Sequence, residues 1–143
     1  MTEVAFHFNA PDKLGYACRL LRKAYGTGAQ VVVTGEPEVL RELDVNLWTF
    51  GSLEFVPHCL GTERDERVQA RTPIVLSGLP RSSPHQQVLV NLGHEVPEGF
   101  ERFERLIEVV TNDGADRQQA RARWKHYADR GYAIVRHDLA EQR

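Results

Sequence analysis

Within Gln30–Thr34 this chain carries a run of valines without polar alternation, Val31-Val32-Val33; Pro73-Ile74-Val75-Leu76 is another strand of the buried type, and Val88–Leu92 a further strand. A strand with one wet face alternates between apolar and polar residues, whereas a strand covered on both faces does not. Continuous runs of this kind belong to parallel sheets with helices on either side. The N-terminal third supplies the helices. Val4–Phe8 alternates like a strand and ends at the turn Asn9-Ala10-Pro11-Asp12. Asp12 can cap a helix whose apolar positions are Leu14, Ala17, Cys18, Leu21 and Tyr25. Gly26-Thr27-Gly28 stops it. After the valine run, Gly35-Glu36-Pro37 opens a second helix with a stripe of Leu40, Leu43 and Leu47, and Trp48 beside it. Strand, helix, strand, helix in this order predicts βαβ units with right-handed crossovers. The expected fold class is α/β, a mostly parallel sheet flanked by helices.

With 143 residues, 41% hydrophobic and 27% charged, the chain fits one globular domain over 1–143. No apolar run approaches the roughly 18 residues of a membrane helix. The opening MTEVAFHFNAPDK lacks the basic–apolar–small order of a secretory signal, so the expectation is a cytoplasmic protein with no membrane contact. A formal charge of −2 argues against a protein that coats duplexes. Two cysteines, Cys18 and Cys59, are too few for a disulfide framework, and Cys18 sits on an apolar helix stripe as core filler.

The middle of the chain is less regular. Trp48–Leu60 holds Trp48, Phe50, Phe55 and Val56, more large apolar groups than a surface connection carries. Phe55-Val56 reads as a short strand closed by Pro57, and the segment either tucks into the core or forms a partner-binding patch. Gly61–Thr72 is the most polar stretch and reads as a mobile surface loop. Gly78–His85 is a Pro/Ser loop. FERFERLIEVV divides into a helical turn at Phe100–Phe103 and a strand at Leu106–Val110. Ala133-Ile134-Val135 makes a last strand before a polar tail.

Sites that an α/β chain could carry are not written here. After Val31–Val33 there is only Gly35, with no glycine-rich phosphate cradle. His58 and Cys59 are adjacent, so on an extended chain they point to opposite faces. The six histidines show no metal spacing, and no carboxylate pair is marked for acid–base work. Nothing points to catalysis, a metal or a cofactor.

Ala115–Tyr132 stands out instead. It holds Arg117, Arg121, Arg123, Lys125 and Arg130 together with Trp124 and Tyr127. Ala120, Trp124, Tyr127 and Gly131 recur at helical spacing, Asn112-Asp113-Gly114 turns into the helix, and Gly131 ends it. Arg117, Arg121 and Lys125 follow one another at intervals of four, beside Trp124. A cationic ridge next to an indole suits a ligand that is both anionic and apolar. The plainer alternative is a solvated helix face whose Trp124 only packs inward.

The chain as a whole resembles the chi subunit of bacterial DNA polymerase III. The resemblance rests on LDVNLWTFGSLEFVPHCL at Leu43–Leu60, on TPIVLSG and VLVNLG within Thr72–Gly93, and on FERFERLIEVVTND…ARARWKHYADRGY at Phe100–Tyr132. The N-terminal YACRLLRKAYGTG and VVV block adds to these. It implies a Rossmann-like three-layer α/β domain without catalytic activity, an accessory to the clamp loader that meets DNA only indirectly. It implies two partners. One is the acidic C-terminal tail of the single-stranded-DNA-binding protein, which ends in an apolar dipeptide with a free carboxylate. The residues carried over by position are Arg117, Arg121, Trp124 and Lys125, with Val110 flooring the pocket. Tryptophan replaces the family's common tyrosine, keeping the flat wall without the hydroxyl. The other partner is the psi subunit, facing Trp48, Phe55, Val56 and Pro57. A rival function is direct binding of single-stranded nucleic acid, with phosphates on the same ridge and a base stacked on Trp124.

Overall fold

A computed structural model describes residues 1–49, 56–61 and 66–141. They form one sheet of seven strands: β1 (Glu3–Ala10), β2 (Val31–Thr34), β3 (His58–Leu60), β4 (Ile74–Leu76), β5 (Val88–Asn91), β6 (Arg105–Thr111) and β7 (Ile134–Asp138). The order across the sheet is β3-β4-β2-β5-β6-β1-β7. Every neighbouring pair is parallel. Parallel neighbours need crossovers, and the helices α1 (Lys13–Gly26), α2 (Pro37–Thr49), α3 (Glu66–Arg71) and α4 (Gly114–Asp129) serve four of them.

The valine run behaves as its composition dictates. All four residues of β2 are buried. Val31 and Val33 face a core built with Leu21, Leu40, Leu43 and Leu47 from α1 and α2. Val32 faces the opposite core, with Phe6, Leu106, Ala120 and Tyr127, where α4 packs. The molecule therefore has three layers, with α1 and α2 on one face of the sheet and α4 on the other. Asp12 caps α1 by accepting from the Gly15 N–H at 3.2 Å, and Cys18 lies in the first core. No helix among the described residues is long and apolar enough to cross a membrane.

Two local expectations are corrected. The strand expected at Phe55-Val56 lies after Pro57 instead, as β3. Proline lacks the N–H a strand ladder needs, so pairing with β4 begins at His58, opposite Ile74. Phe55 falls outside the described residues. The stretch Gly61–Thr72, expected to be a mobile loop, contains α3, while 62–65 lie outside the described residues. Its residues are good helix formers, β3 and β4 are parallel neighbours that require a crossover, and the Thr72 hydroxyl closes the helix on the Val68 carbonyl at 2.6 Å. The Pro/Ser loop carries a 3-10 turn at Pro80–Ser82, and the tail another at Leu139–Glu141.

Candidate functional site

β6 and β1 are neighbours, yet the chain leaves them in opposite directions: from β6 toward α4 on one face, from β1 toward α1 on the other. Where connections diverge like this, the carboxyl ends of the strands open into a crevice. A cavity of about 200 Å³ lies there. Its apolar wall comes from Phe6, Phe8, Val110, Ala120 and Trp124, and three arginines, Arg117, Arg121 and Arg136, stand around it.

An irregularity in β1 shapes the opening. His7 pairs with Val109 and Ala10 with Thr111, so Phe8 and Asn9 together stand opposite Val110 alone. This two-against-one arrangement is a β-bulge, which bends a strand and re-aims its side chains. Asn9 takes the left-handed conformation at φ 63°, a region costly for most L-residues that asparagine tolerates. Its side-chain amide donates to Asp138 at 2.8 Å, tying the bulge to the end of β7.

α4 carries the cations, and both its ends are fixed. The Asp113 carboxylate accepts from the Asp116 N–H at 3.1 Å as N-cap. Asp116 in turn accepts from the Thr111 N–H and hydroxyl, both at 2.8 Å, and from the Lys13 ammonium at 3.1 Å. Burial alone would push the Asp116 carboxyl up, but those donors together hold it below the usual carboxylate range. At the other end Gly131 is left-handed at φ 79°. Its N–H donates to the Ala128 carbonyl, and the Tyr132 N–H to the Tyr127 carbonyl, the paired bonds of a Schellman ending.

Helical geometry sorts the candidates. At about 100° per residue, Trp124 falls about 20° from Arg117 around the axis, whereas Lys125 falls about 80° away. Arg117, Arg121, Trp124 and Val110 accordingly line one cavity, and Lys125 does not. The Lys125 ammonium pairs with Asp129 at 3.0 Å on the exposed surface. Trp124 is half-buried, its ring centroid 5.0 Å from that of Phe6, so it both packs inward and walls the cavity. The guanidiniums of Arg117, Arg121 and Arg136 make no hydrogen bond or ion pair among the described residues.

Arg123 is a different case. It is 2% exposed and belongs to the interior. Its Nε donates to Glu108 at 3.1 Å and its Nη1 to the His94 carbonyl at 2.8 Å. Glu108 also accepts from the Tyr127 hydroxyl at 2.6 Å and from Asn91 at 3.0 Å. Burial pushes the Glu108 carboxyl up while Arg123 and these donors oppose it. Burial, and then the carboxylate beside it, push the Tyr127 phenol up, so it stays a donor.

The second candidate patch divides. Trp48 is 62% exposed at the end of α2, with its ring edge-on to His58 at 5.2 Å, and Pro57 is half-buried. Val56 corrects the patch assignment: it is 2% exposed in the core beneath α2, where burying an aliphatic side chain is favoured. His58 donates from Nδ1 to the Val56 carbonyl at 2.7 Å and approaches Asp44 at 3.1 Å, which holds that segment against α2.

Sequence reasoning missed Phe6, Phe8, Asn9 and Arg136. Arg136 pairs in register with Phe6 across β1 and β7. Its spacing of two from Ile134, which packs against the α4-side core, was the available signal, because alternate strand residues share a face.

Comparison with known proteins places the chain in a family. A family model described as "DNA polymerase III chi subunit, HolC" matches residues 1–135. DNA polymerase III subunit chi of Pseudomonas aeruginosa is 35% identical over 144 aligned positions, covering 97% of this chain and 98% of that protein. The subunit chi of Haemophilus influenzae is 35% identical over 82% of this chain and 81% of its own length, and that of Escherichia coli 25% identical over 82% and 79%. On these matches this chain belongs to the DNA polymerase III chi subunit family.

Proposed function

We propose that this chain is a non-catalytic, cytoplasmic adaptor of the DNA polymerase III clamp-loader assembly. It holds the acidic C-terminal tail of the single-stranded-DNA-binding protein in the crevice between β6 and β1. The observation that carries this reading is the cavity itself, where three guanidiniums without acidic partners surround one aromatic-walled hole. Guanidinium groups bind carboxylates through paired, charge-assisted bonds, and Trp124 with Phe8 and Val110 receives an apolar side chain. The surface at Trp48 and Pro57 serves the psi subunit, which links chi to the rest of the assembly. A peptide gripped by a few cations and one pocket binds at about micromolar strength, and added salt weakens it.

The test is a titration of the tail peptide against wild type and single variants. Arg121→Ala and Trp124→Ala each lower affinity by about tenfold or more, a loss of roughly 1.4 kcal/mol. Lys125→Ala has a smaller effect than Arg121→Ala. Unchanged affinity in both Arg121→Ala and Trp124→Ala removes the site assignment. Tight binding of a bare single-stranded oligonucleotide without the peptide favours the nucleic-acid rival.

A further inference from the structure

We propose that the face of β1 and β7 on the α1 side of the sheet is a berth for an amphipathic helix of another protein. That helix lies beside α1 and carries acidic residues along the edges of its apolar stripe. The tail crevice opens on the opposite face of the sheet and Trp48 lies at the end of α2, so this surface is distinct from both.

Layer spacing leaves room for such a helix. Parallel sheets are normally covered on both faces, and on the α4 side Phe6 of β1 and Ile134 of β7 pack into the core beneath α4. The alternate residues of the same strands, Ala5 and His7 with Val135 and His137, point the other way. On that side α1 packs against β6, and α2 against α1. Strands lie about 4.8 Å apart and packed helices about 8–10 Å apart. β7, two strands beyond β6, therefore lies about one helix spacing beyond α1. A cavity of about 360 Å³ occupies this position, and Val135, which pairs in register with Ala5, is 40% exposed.

Side-chain size and charge then choose the occupant. Ala5, Ala24 and Ala29 line the groove, and their short side chains let a facing helix come close and fill the volume with larger apolar groups. Cations stand at the rim. Lys23 has no acidic partner among the described residues, and Arg105 reaches Glu3 only at 3.7 Å on the exposed surface. Burial first, and then His137, Arg105 and Lys23, hold His7 below its ordinary value, so positive charge outweighs Glu3 at the centre of the groove. A second copy of this chain would bring the same cations and be repelled. A nucleic-acid backbone would meet the cations but leave the alanine floor unfilled. An apolar stripe edged with acids satisfies both features.

The test uses fluorescence anisotropy of the full-length protein with two labelled helical peptides. Both carry leucines at helical spacing, one with glutamates on the flanks of the stripe and one with lysines there. Wild type binds the glutamate peptide about tenfold more tightly than the lysine peptide. Lys23→Glu combined with Arg105→Glu reverses that preference, and Val135→Asp weakens the glutamate peptide by about tenfold. All three positions are exposed, and thermal melts of each variant show that the fold is kept. Saturating tail peptide does not displace the glutamate peptide. The proposal is overturned if wild type binds neither peptide or shows no preference, or if binding survives both Val135→Asp and the charge reversal. Displacement by the tail peptide overturns it too. Self-association of wild type that Val135→Asp abolishes would give the face to a second copy. Binding of a bare oligonucleotide that Lys23→Glu abolishes would give it to nucleic acid. Either result replaces the helix.

Discussion

The Nε of Arg123 lies 3.1 Å from Oε1 of Glu108, with the two side chains 2% and 0% exposed. This pair bolts α4 to the middle of the sheet, because Glu108 stands on β6 and also receives Tyr127 and Asn91. Removing one partner of a buried pair leaves an uncompensated charge, which costs about 3–5 kcal/mol. Arg123→Met alone is expected to lose stability in that range. The double variant Glu108→Gln with Arg123→Met is expected to lose clearly less than the sum of the two single changes. Urea denaturation of the four proteins measures this, and simple additivity would mean that the two side chains are not coupled.

Trp48 and Trp124 are the chain's two tryptophans, and they sit in unlike places, so fluorescence separates the two proposed surfaces. In a Trp48→Phe background the tail peptide is expected to shift Trp124 emission to the blue, as the peptide displaces water from the exposed side of the ring. In a Trp124→Phe background the same peptide leaves Trp48 emission unchanged. A response that follows Trp48 instead would move the tail site to the end of α2.

Asp116 gathers Thr111 and Lys13 at the start of α4, and Asp113 caps the same turn. Asp113→Ala is expected to cost about 1 kcal/mol, the usual value of an N-cap. Asp116→Asn is expected to cost about 1–3 kcal/mol, because it removes a charged acceptor of several hydrogen bonds. Both variants loosen the turn that positions Arg117, so the tail peptide binds less tightly to each. Thermal melts and peptide titrations on the same samples check the two effects together.

His7 gives the protein a defined acid sensitivity. Burial first, then the neighbouring His137, and then Arg105 and Lys23, lower its pKa from 6.5 to about 4. Its ring also contacts the Tyr16 hydroxyl at 2.5 Å. A histidine with a lowered folded pKa is neutral in both states above 6.5. As pH falls, the unfolded chain takes up the proton first, so stability declines from about 6.5 down to about 4. Asp116 acts in a separate window: its lowered pKa adds stability that is complete above the usual carboxylate value of 3.8 and lost below it. His7→Gln is expected to flatten the upper window by on the order of 1 kcal/mol, after allowance for solvent screening. Asp116→Asn flattens only the lower one. Denaturation midpoints across pH 3–8 distinguish them, and a His7→Gln curve parallel to wild type refutes the assignment.

Much of this molecule was determined by the sequence alone. Burial on both faces is a local property of Val31–Val33, Ile74–Leu76 and Val88–Val90, and it dictated a parallel sheet because few other settings cover both sides of a strand. The spacing of Ala120, Trp124 and Tyr127, with Asp113 and Gly131 at the ends, likewise specified α4 and put Arg117 and Arg121 beside the indole. Tertiary structure decided which cations line the cavity. Arg123 and Lys125 look alike on paper, but Glu108 lies 15 residues away from Arg123 in sequence and only the sheet brings it underneath. Arg136 entered the site because β7 pairs with β1, and the bulge at Phe8 and Asn9 exists only in the pairing of β1 with β6. A periodicity reports how a segment meets its own core. Which distant charge lies across from a residue depends on strand order, and no local pattern encodes that.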